Sequence, residues 1–267
     1  MAKMLHEDGR VETYQNSRSD SSRSYDANHR DSWSNNGNRQ NSGNGIFHQG
    51  YRSSNHSSAM HGEFTRTSFN ITVGAVLFYG FLMNFLICKH MTGFFTSMNP
   101  IVLLIGYVIC VIIGGMMSAK SDNPIISFLG YNLVVLPVGA VLSVCLAGVA
   151  PDLIVRAATV TAGVTGIMLI GAMVFPEIFR KMGRILFFSL IAVIIVEIIC
   201  MIFGVFMPTF WDWLVAALFA LYIGYDWAIA QEYECNLDNA IDACVGLYLN
   251  IVNLFLRILS IMGRRDS

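Results

Sequence analysis

Seven long apolar segments follow one another along the C-terminal part of the chain, separated by short polar or proline-containing stretches. Each segment is close to the ~20 residues that an α-helix needs to cross a bilayer. The predicted segments are 70–88, 101–118, 124–149, 152–175, 185–207, 209–230 and 240–262. Several connections, such as Ala119–Asn123 and Ala150–Pro151, are so short that consecutive helices must be antiparallel neighbours. The pattern predicts an all-α, polytopic membrane protein, folded as a bundle of seven transmembrane helices.

The last two segments are predicted to form a helical hairpin, with helices at Leu214–Ala230 and Ala240–Met262. Asp226 lies in the first helix and Asn250 in the second, and the midpoint between them is position 238, in the polar turn. Because a helix rises about 1.5 Å per residue, the two side chains reach a similar depth. The spacing therefore predicts a contact between Asp226 and Asn250 across the hairpin.

A polar stripe follows one face of the second helix of the hairpin. Its residues are Asp242, Gly246, Asn250, Asn253, Arg257 and Ser260. Spacings of three and four residues keep them on one face of a helix with about 3.6 residues per turn. In a membrane such a face turns toward a cavity or partner helices, so the seventh helix is predicted to be central.

The first helix of the hairpin carries a small residue at every fourth position. These residues are Ala216, Ala220, Gly224 and Ala228. Rows of this kind let neighbouring helix backbones approach closely in a membrane. The row therefore predicts tight packing on this helix.

Residues 1–66 differ in composition from the rest of the chain. They are rich in Ser, Asn and Gly, carry charges of both signs and contain very few aliphatic side chains. Such a segment cannot bury enough apolar surface to offset the entropy of ordering. We predict a disordered cytoplasmic tail over residues 1–66 and one membrane domain over residues 67–267.

Composition supports this division and excludes several functions. Hydrophobic residues make up 54% of the chain and charged residues 13%, which is typical of a membrane protein. A net charge of -1 gives no reason to expect nucleic-acid binding. The sequence contains no HExxH or GxSxG motif, so we do not expect the protein to be an enzyme with catalytic residues. We also expect no bound metal and no cofactor.

Three ionisable residues lie well inside predicted spans: Glu197, Asp226 and Arg257. Each costs about 2.5–3.5 kcal/mol at a helix centre on insertion scales. Asp226 is the strongest candidate for a functional group, and its alternative is a helix-end carboxylate exposed to water. For Glu197 two interpretations stay open: a protonated acid hydrogen-bonded to a neighbouring helix, or a member of an ion path.

Asn253 and Arg257 continue the polar stripe beyond Asn250 and complete the candidate ion path. Arg257, however, lies only about five residues from the end of its segment. We therefore interpret it foremost as a guanidinium that extends to the membrane surface, as long basic side chains do.

The turn between the last two helices is acidic, with Glu232, Glu234 and Asp238 and no Lys or Arg from Gln231 to Asn239. A local cluster of carboxylates raises the cation concentration at a pore mouth. A solvated turn that happens to be acidic is the other interpretation. The spacing of these carboxylates is not that of an EF-hand.

The run LYIGYD, the polar turn and the run LYLNIVNLFLRIL resemble the last two spans of the transmembrane Bax inhibitor motif family. The resemblance extends more loosely upstream, through SDNPIISFLGYNLVVLPVGAVLS. It implies a seven-span membrane protein, and bacterial members have been described as pH-sensitive calcium-leak channels. Localisation in a bacterial plasma membrane with a cytoplasmic N-terminus is also implied.

This chain departs from the family at two positions. The family usually has a second aspartate where this chain has Asn250, and the two aspartates are thought to share a proton. Without the second carboxylate, the pH response should be weakened or moved. A basic residue of the second span pairs with the aspartates in some relatives, and here only Lys120, at the end of that span, could stand in.

Two functions of different classes remain. The first is a cation leak channel that carries calcium or another cation, based on the polar stripe and Asp226. The second is a regulator that binds another membrane protein, because some bacterial relatives restrain a membrane protease. Besides such partners, the lipid bilayer itself is the expected environment.

The number of spans can be tested by topology. The dense basic cluster around Arg180 slightly favours a cytoplasmic location for this loop and for the N-terminus. In a background without native cysteines, Met182→Cys should react with a membrane-impermeant thiol reagent from the cytoplasmic side. Asp266→Cys should react from the opposite side. Labelling of both positions from the same side would contradict seven spans.

Overall fold

The computed structural model of the protein describes residues 64–205 and 208–265. The predicted tail, residues 1–66, lies outside the described residues except for its last three positions. The described part of the chain forms α-helices, whose bounds are α1 Arg66–His90, α2 Thr92–Thr96, α3 Pro100–Lys120, α4 Pro124–Cys145, α5 Pro151–Val174, α6 Pro176–Lys181, α7 Gly183–Phe203, α8 Thr209–Ala230 and α9 Leu237–Arg265.

Seven of these helices are long and apolar enough to cross a membrane. They are α1, α3, α4, α5, α7, α8 and α9, and they correspond one to one to the seven predicted segments. The all-α, seven-span fold is therefore confirmed. The two remaining described helices, α2 and α6, are short and were not predicted.

Several helices begin or end at other residues than predicted, because a capping side chain or a glycine sets the boundary. The first helix starts at Arg66, inside the predicted tail, because the side chain of Thr65 accepts a hydrogen bond from the Ser68 amide and caps it. Helix α7, the fifth of the seven spans, ends at Phe203 instead of the predicted residue 207, because Gly204 takes a left-handed conformation with φ 63°. Similarly, α4 ends at Cys145, three residues before Gly148 at φ 81°.

Helix α9 lies at the centre of the bundle, as the polar stripe predicts. It packs against α1, α3, α4, α5 and α8. By contrast, α3, α5 and α7 bury few of their side chains and leave many large apolar ones exposed, such as Ile112, Ile167 and Phe187. These outer helices therefore present the surface that suits lipid.

The row of small residues on α8 is buried, with Ala216, Ala220 and Ala228 each no more than 6% exposed. A Cβ added at Gly224 would lie 2.2 Å from the ring of Phe179 in α6. The close packing predicted for this helix is thus present, and part of it is made with a short helix that the sequence analysis did not predict.

Contacts across the bundle fix which helix ends lie together. The guanidinium of Arg66 at the start of α1 donates to the carbonyl of Tyr233, at 2.8 Å, in the turn between α8 and α9. We call this the turn end of the bundle and the opposite one the far end. The turn end therefore contains the start of α1, the end of α3 and the start of α4.

Helices α3 and α4 cross at a pair of glycines. A Cβ added at Gly114 would lie 2.5 Å from the carbonyl oxygen of Gly130, and one at Gly130 would lie 2.6 Å from the carbonyl oxygen of Gly114. The two backbones are therefore in direct contact, which only residues without a side chain allow.

This contact predicts a position-specific effect of alanine. Gly114→Ala should destabilise the protein by about 1–3 kcal/mol, because the added methyl group must push the α4 backbone away. The neighbouring Gly115→Ala is the matched control, since its Cβ would meet nothing within 4 Å. Thermal unfolding of the purified protein in detergent measures both. Equal midpoints for the two variants would show that α3 and α4 are not in backbone contact.

Candidate functional site

Asp226 and Asn250 are in contact, as the hairpin spacing predicts. The side-chain Nδ2 of Asn250 donates to Oδ2 of Asp226 at 2.6 Å. Asp226 lies one turn before the end of α8 at Ala230, so the contact is near the turn end of the bundle. An amide donor here satisfies a carboxylate oxygen that would otherwise lie unpaired between two apolar helices.

Gly246 of the polar stripe lies directly beside the carboxylate of Asp226. A Cβ at this position would lie 2.7 Å from Oδ2 of Asp226. Because Gly246 has no side chain, the carboxylate can lie directly against the backbone of α9, one turn before Asn250. The spacing that places Gly246 on the stripe does not predict this role.

A cavity of about 730 Å³ at the turn end leads to Asp226. We call it the turn-end cavity, and its lining residues are Gly115, Ser118, Ala119, Lys120, Asp226, Ile229, Tyr233, Asp242, Ala243, Val245 and Gly246. It brings two carboxylates, Asp226 and Asp242, together with one ammonium group, Lys120. Lys120 from α3 thus shares a cavity with Asp226, as its possible role as a stand-in requires.

Two serines hold the first turns of α9. The hydroxyl of Ser118 in α3 donates to the carboxylate of Asp242. The hydroxyl of Ser127 in α4 donates to Oδ1 of Asp238 at 2.7 Å. Both serines are at most 1% exposed, and their hydrogen bonds, which the sequence pattern did not predict, join α3 and α4 to α9.

The predicted pore-mouth cluster is not a set of three free carboxylates. Glu232 forms an ion pair with Arg180 of α6, and Asp238 is 8% exposed and bonded to Ser127. Glu234 is half-buried. The turn itself contains no basic residue, but α6 supplies one from 52 positions upstream.

Arg257 does not extend toward the surface as an unpaired guanidinium, which corrects the interpretation made from the sequence. Its guanidinium lies 3.1 Å from Oδ1 of Asp212 in α8 and also pairs with Glu197 in α7. Its side chain is 26% exposed. Arg257 therefore joins α7, α8 and α9 at the far end.

Asp212 is a charged residue that the sequence analysis missed. It is 2% exposed, pairs with Arg257 and with Arg264 at 3.2 Å, and accepts a hydrogen bond from Ser260 at 3.1 Å. Its position in the first turn of α8 is typical of a surface acid near the positive end of a helix. The stripe could have indicated Asp212, because Arg257 and Ser260 both need a polar partner inside the bundle.

Glu197 accepts hydrogen bonds from Arg257 and from the indole Nε1 of Trp211 at 3.2 Å. It does bond a neighbouring helix, as one interpretation proposed, but the partner is a cation. Glu197 lines neither the turn-end cavity nor the cavity described next. The structure therefore places it in an interhelical ion pair.

A second cavity, of about 440 Å³, lies at the far end, and we call it the far-end cavity. Its polar lining comes from the other half of the stripe: Asn253, Arg257 and Ser260. Along α9, the turn-end cavity reaches Gly246 and the far-end cavity begins at Asn253. The helix segment between them spans about 10 Å at 1.5 Å per residue, and it contains Asn250.

Comparison with known proteins relates the chain to a family. The family model described as "Inhibitor of apoptosis-promoting Bax1" matches residues 62–267. Two uncharacterised proteins of Helicobacter pylori, from strains 26695 and J99, are each 35% identical over 111 residues, which is 40% of this chain. The match covers 46% of the length of each of these relatives.

The far-end ion pairs predict energetic coupling between α7 and α9. Arg257→Met should destabilise the protein by about 1–3 kcal/mol, because it leaves the partly exposed carboxylate of Glu197 without its cation and removes one of the two arginines that pair with the buried Asp212. In the double variant Glu197→Gln/Arg257→Met the loss should be smaller than the sum of the two single losses. Thermal unfolding in detergent measures this cycle.

Lys181→Met is the control, since its 3.8 Å pair with Glu177 is highly exposed and should contribute only about 0–1 kcal/mol. Strict additivity of Glu197→Gln and Arg257→Met would mean that the ion pair does not couple the helices.

Proposed function

Since the chain belongs to the family of inhibitors of apoptosis-promoting Bax1, whose model covers residues 62–267, we propose that it is a cation leak channel of a bacterial plasma membrane. Calcium is the proposed ion, and the N-terminus is proposed to lie in the cytoplasm. The observation that carries the proposal is the stripe of α9, which lines a cavity at each end of the bundle.

The proposed ion path begins in the turn-end cavity. Asp226 and Asp242 give this cavity two carboxylates against one ammonium group from Lys120. Oxygen ligands of this type suit hard cations such as Ca²⁺. A carboxylate in a narrow, partly apolar space also attracts cations more strongly than one in bulk water.

The proposed gate is the Asp226–Asn250 contact. It bridges α8 and α9 at the point where the turn-end cavity stops. A cation can pass toward the far-end cavity when the two helices separate and the carboxylate exchanges its amide partner for the ion. The closed state is the one in which Asn250 keeps its 2.6 Å hydrogen bond.

Asn250 also determines the proposed response to pH. Two ionised carboxylates ~4 Å apart would repel by roughly 4 kcal/mol at an effective dielectric constant near 20. An aspartate that faces a neutral amide has no such repulsion, and the amide donates to the ionised carboxylate. Ionisation of Asp226 therefore favours the closed contact, and this chain should be gated only weakly by pH.

Flux of calcium into liposomes that contain the purified protein tests the gate. Wild-type flux should change little between acid and neutral pH. Asn250→Asp should make flux rise about tenfold or more over this range, because loss of the shared proton adds the repulsion. Asn253→Asp adds the same charge one turn further along α9, away from Asp226, and should not introduce this rise.

Asp226→Asn should lower flux at every pH, because the carboxylate at the end of the turn-end cavity is lost. Asp152→Asn, at an exposed position in α5, is the matched control and should leave flux unchanged. Steep pH dependence of the wild type that Asn250→Asp does not alter would place the gate elsewhere. Absence of flux in all proteins, with a membrane protease retained during purification, would favour the regulator function instead.

A further inference from the structure

A third cavity opens on the side of the bundle, between α1, α4, α5 and α9. We call it the lateral cavity, and its volume is about 560 Å³, within the range of about 300–1,000 Å³ that small-molecule sites have. It extends along α5 from Ala158 to Leu169, a length of about 16 Å. Phe85, in its wall, is 60% exposed, so the cavity opens on the surface that faces lipid.

The lateral cavity is uncharged. Its lining residues are Phe81, Asn84, Phe85, Leu142, Ala158, Thr161, Ala162, Thr165, Gly166, Leu169, Ile251, Val252 and Phe255. None of these side chains is ionisable, in contrast to the cavities at the two ends of the bundle. A charged lipid headgroup would find no counter-ion in this lining and would pay the cost of desolvation.

Two polar atoms in this apolar lining have no hydrogen-bond partner in the described part of the chain. They are Oδ1 of Asn84 and the hydroxyl oxygen of Thr165. Asn84 is 5% exposed; its Nδ2 donates to the hydroxyl of Tyr248 at 2.6 Å, but this leaves its carbonyl oxygen unpaired. Buried polar groups are paired in the great majority of cases, so two unpaired ones beside a single cavity point to a ligand. Both oxygens are covered by neighbouring atoms in this structure, that of Asn84 against Gly139 of α4, so each side chain must turn to present its oxygen to the cavity.

The neighbouring Thr161 shows the contrast. Its hydroxyl donates to the carbonyl of Ala157 at 2.7 Å, the usual arrangement for a threonine inside a membrane helix. Thr165, one turn further along the same face of α5, does not make the equivalent bond. Its hydroxyl can therefore donate to or accept from a ligand, whereas Oδ1 of Asn84 can only accept.

We propose that the lateral cavity binds an uncharged membrane lipid that consists of hydrocarbon and a hydroxyl group. The hydrocarbon lies along α5 between Ala158 and Leu169. The side chains of Thr165 and Asn84 turn toward the lipid on binding, so that its hydroxyl bonds to Thr165 and donates to Asn84. A long-chain alcohol and a diacylglycerol share this chemistry. This site is separate from the proposed ion path and does not depend on it.

Photolabelling of the purified protein in nanodiscs tests the site. The probe is hexadecanol with a diazirine in its chain, and the comparison probe is its methyl ether, which keeps the chain and the oxygen but cannot donate. The alcohol should label peptides of α1 and α5, and the ether should label them about two- to tenfold less, because the hydrogen bond to Asn84 is lost. Equal labelling by both probes would overturn the proposal.

Variants locate the binding. Gly166→Leu should abolish labelling, because its side chain enters the cavity and its Cβ meets no atom within 4 Å, so the fold can accept it. Gly163→Leu, three residues away and outside the cavity lining, is equally unobstructed and should label like the wild type. Labelling that survives Gly166→Leu would overturn the proposed position.

The hydroxyl of Thr165 has its own matched pair. Thr165→Val should reduce labelling about two- to tenfold, while Thr161→Val, whose hydroxyl is already bonded to Ala157, should not. Competition with unlabelled hexadecanol and with dioleoylglycerol distinguishes the single-chain from the two-chain source. Equal competition by phosphatidylglycerol would show that the cavity does not select against charge and would overturn the proposal.

Discussion

A polar group that a membrane bundle buries needs a partner in the protein or in a bound molecule, because hydrocarbon offers none. In this chain the requirement is concentrated on α9. Its stripe is met by a serine of α3 at Asp242, by Asp226 of α8 at Asn250, and by carboxylates of α7 and α8 at Arg257. These bonds are directional, so they specify both which helices surround α9 and how far each is shifted along it. Apolar packing alone would not do so, since lipid tails solvate apolar helix faces equally well.

Close approach of the helices is the second half of the same constraint. A short side chain such as Asp226 can reach α9 only where α9 has no side chain of its own, which is the position of Gly246. The same geometry recurs where Gly114 and Gly130 bring α3 and α4 into backbone contact. Small residues therefore let the helices approach closely enough for the polar pairs to form. The polar pairs in turn stabilise helix contacts in which small side chains bury little apolar area.

The sequence predicted those features that depend on local periodicity. Seven spans, the central position of α9 and the Asp226–Asn250 contact all follow from spacing within one helix or one hairpin. The pairing of Arg257 with Glu197 could not be predicted in this way, because Glu197 is 60 residues away on α7, outside the hairpin. Asp212, by contrast, lies on α8 within the hairpin, and the stripe held a signal for it. Arg180 changed the interpretation of the acidic turn for the same reason, because the short helix α6 that carries it had not been predicted. Cavities are harder still, since they are defined by side chains that several helices leave unfilled.

Charge distinguishes the turn-end and far-end cavities from the lateral cavity. Ionisable groups line the turn-end and far-end cavities, and none lines the lateral cavity. Both kinds of cavity share α9: Tyr248, which bonds Asn84 beside the lateral cavity, is two residues from Asn250. A bound lipid can shift the proposed gate only if it binds the proposed open and closed arrangements with different free energies. Such a difference would arise at the α1–α9 contact between Asn84 and Tyr248. Tyr248 belongs to α9, which moves relative to α8 when the proposed gate opens.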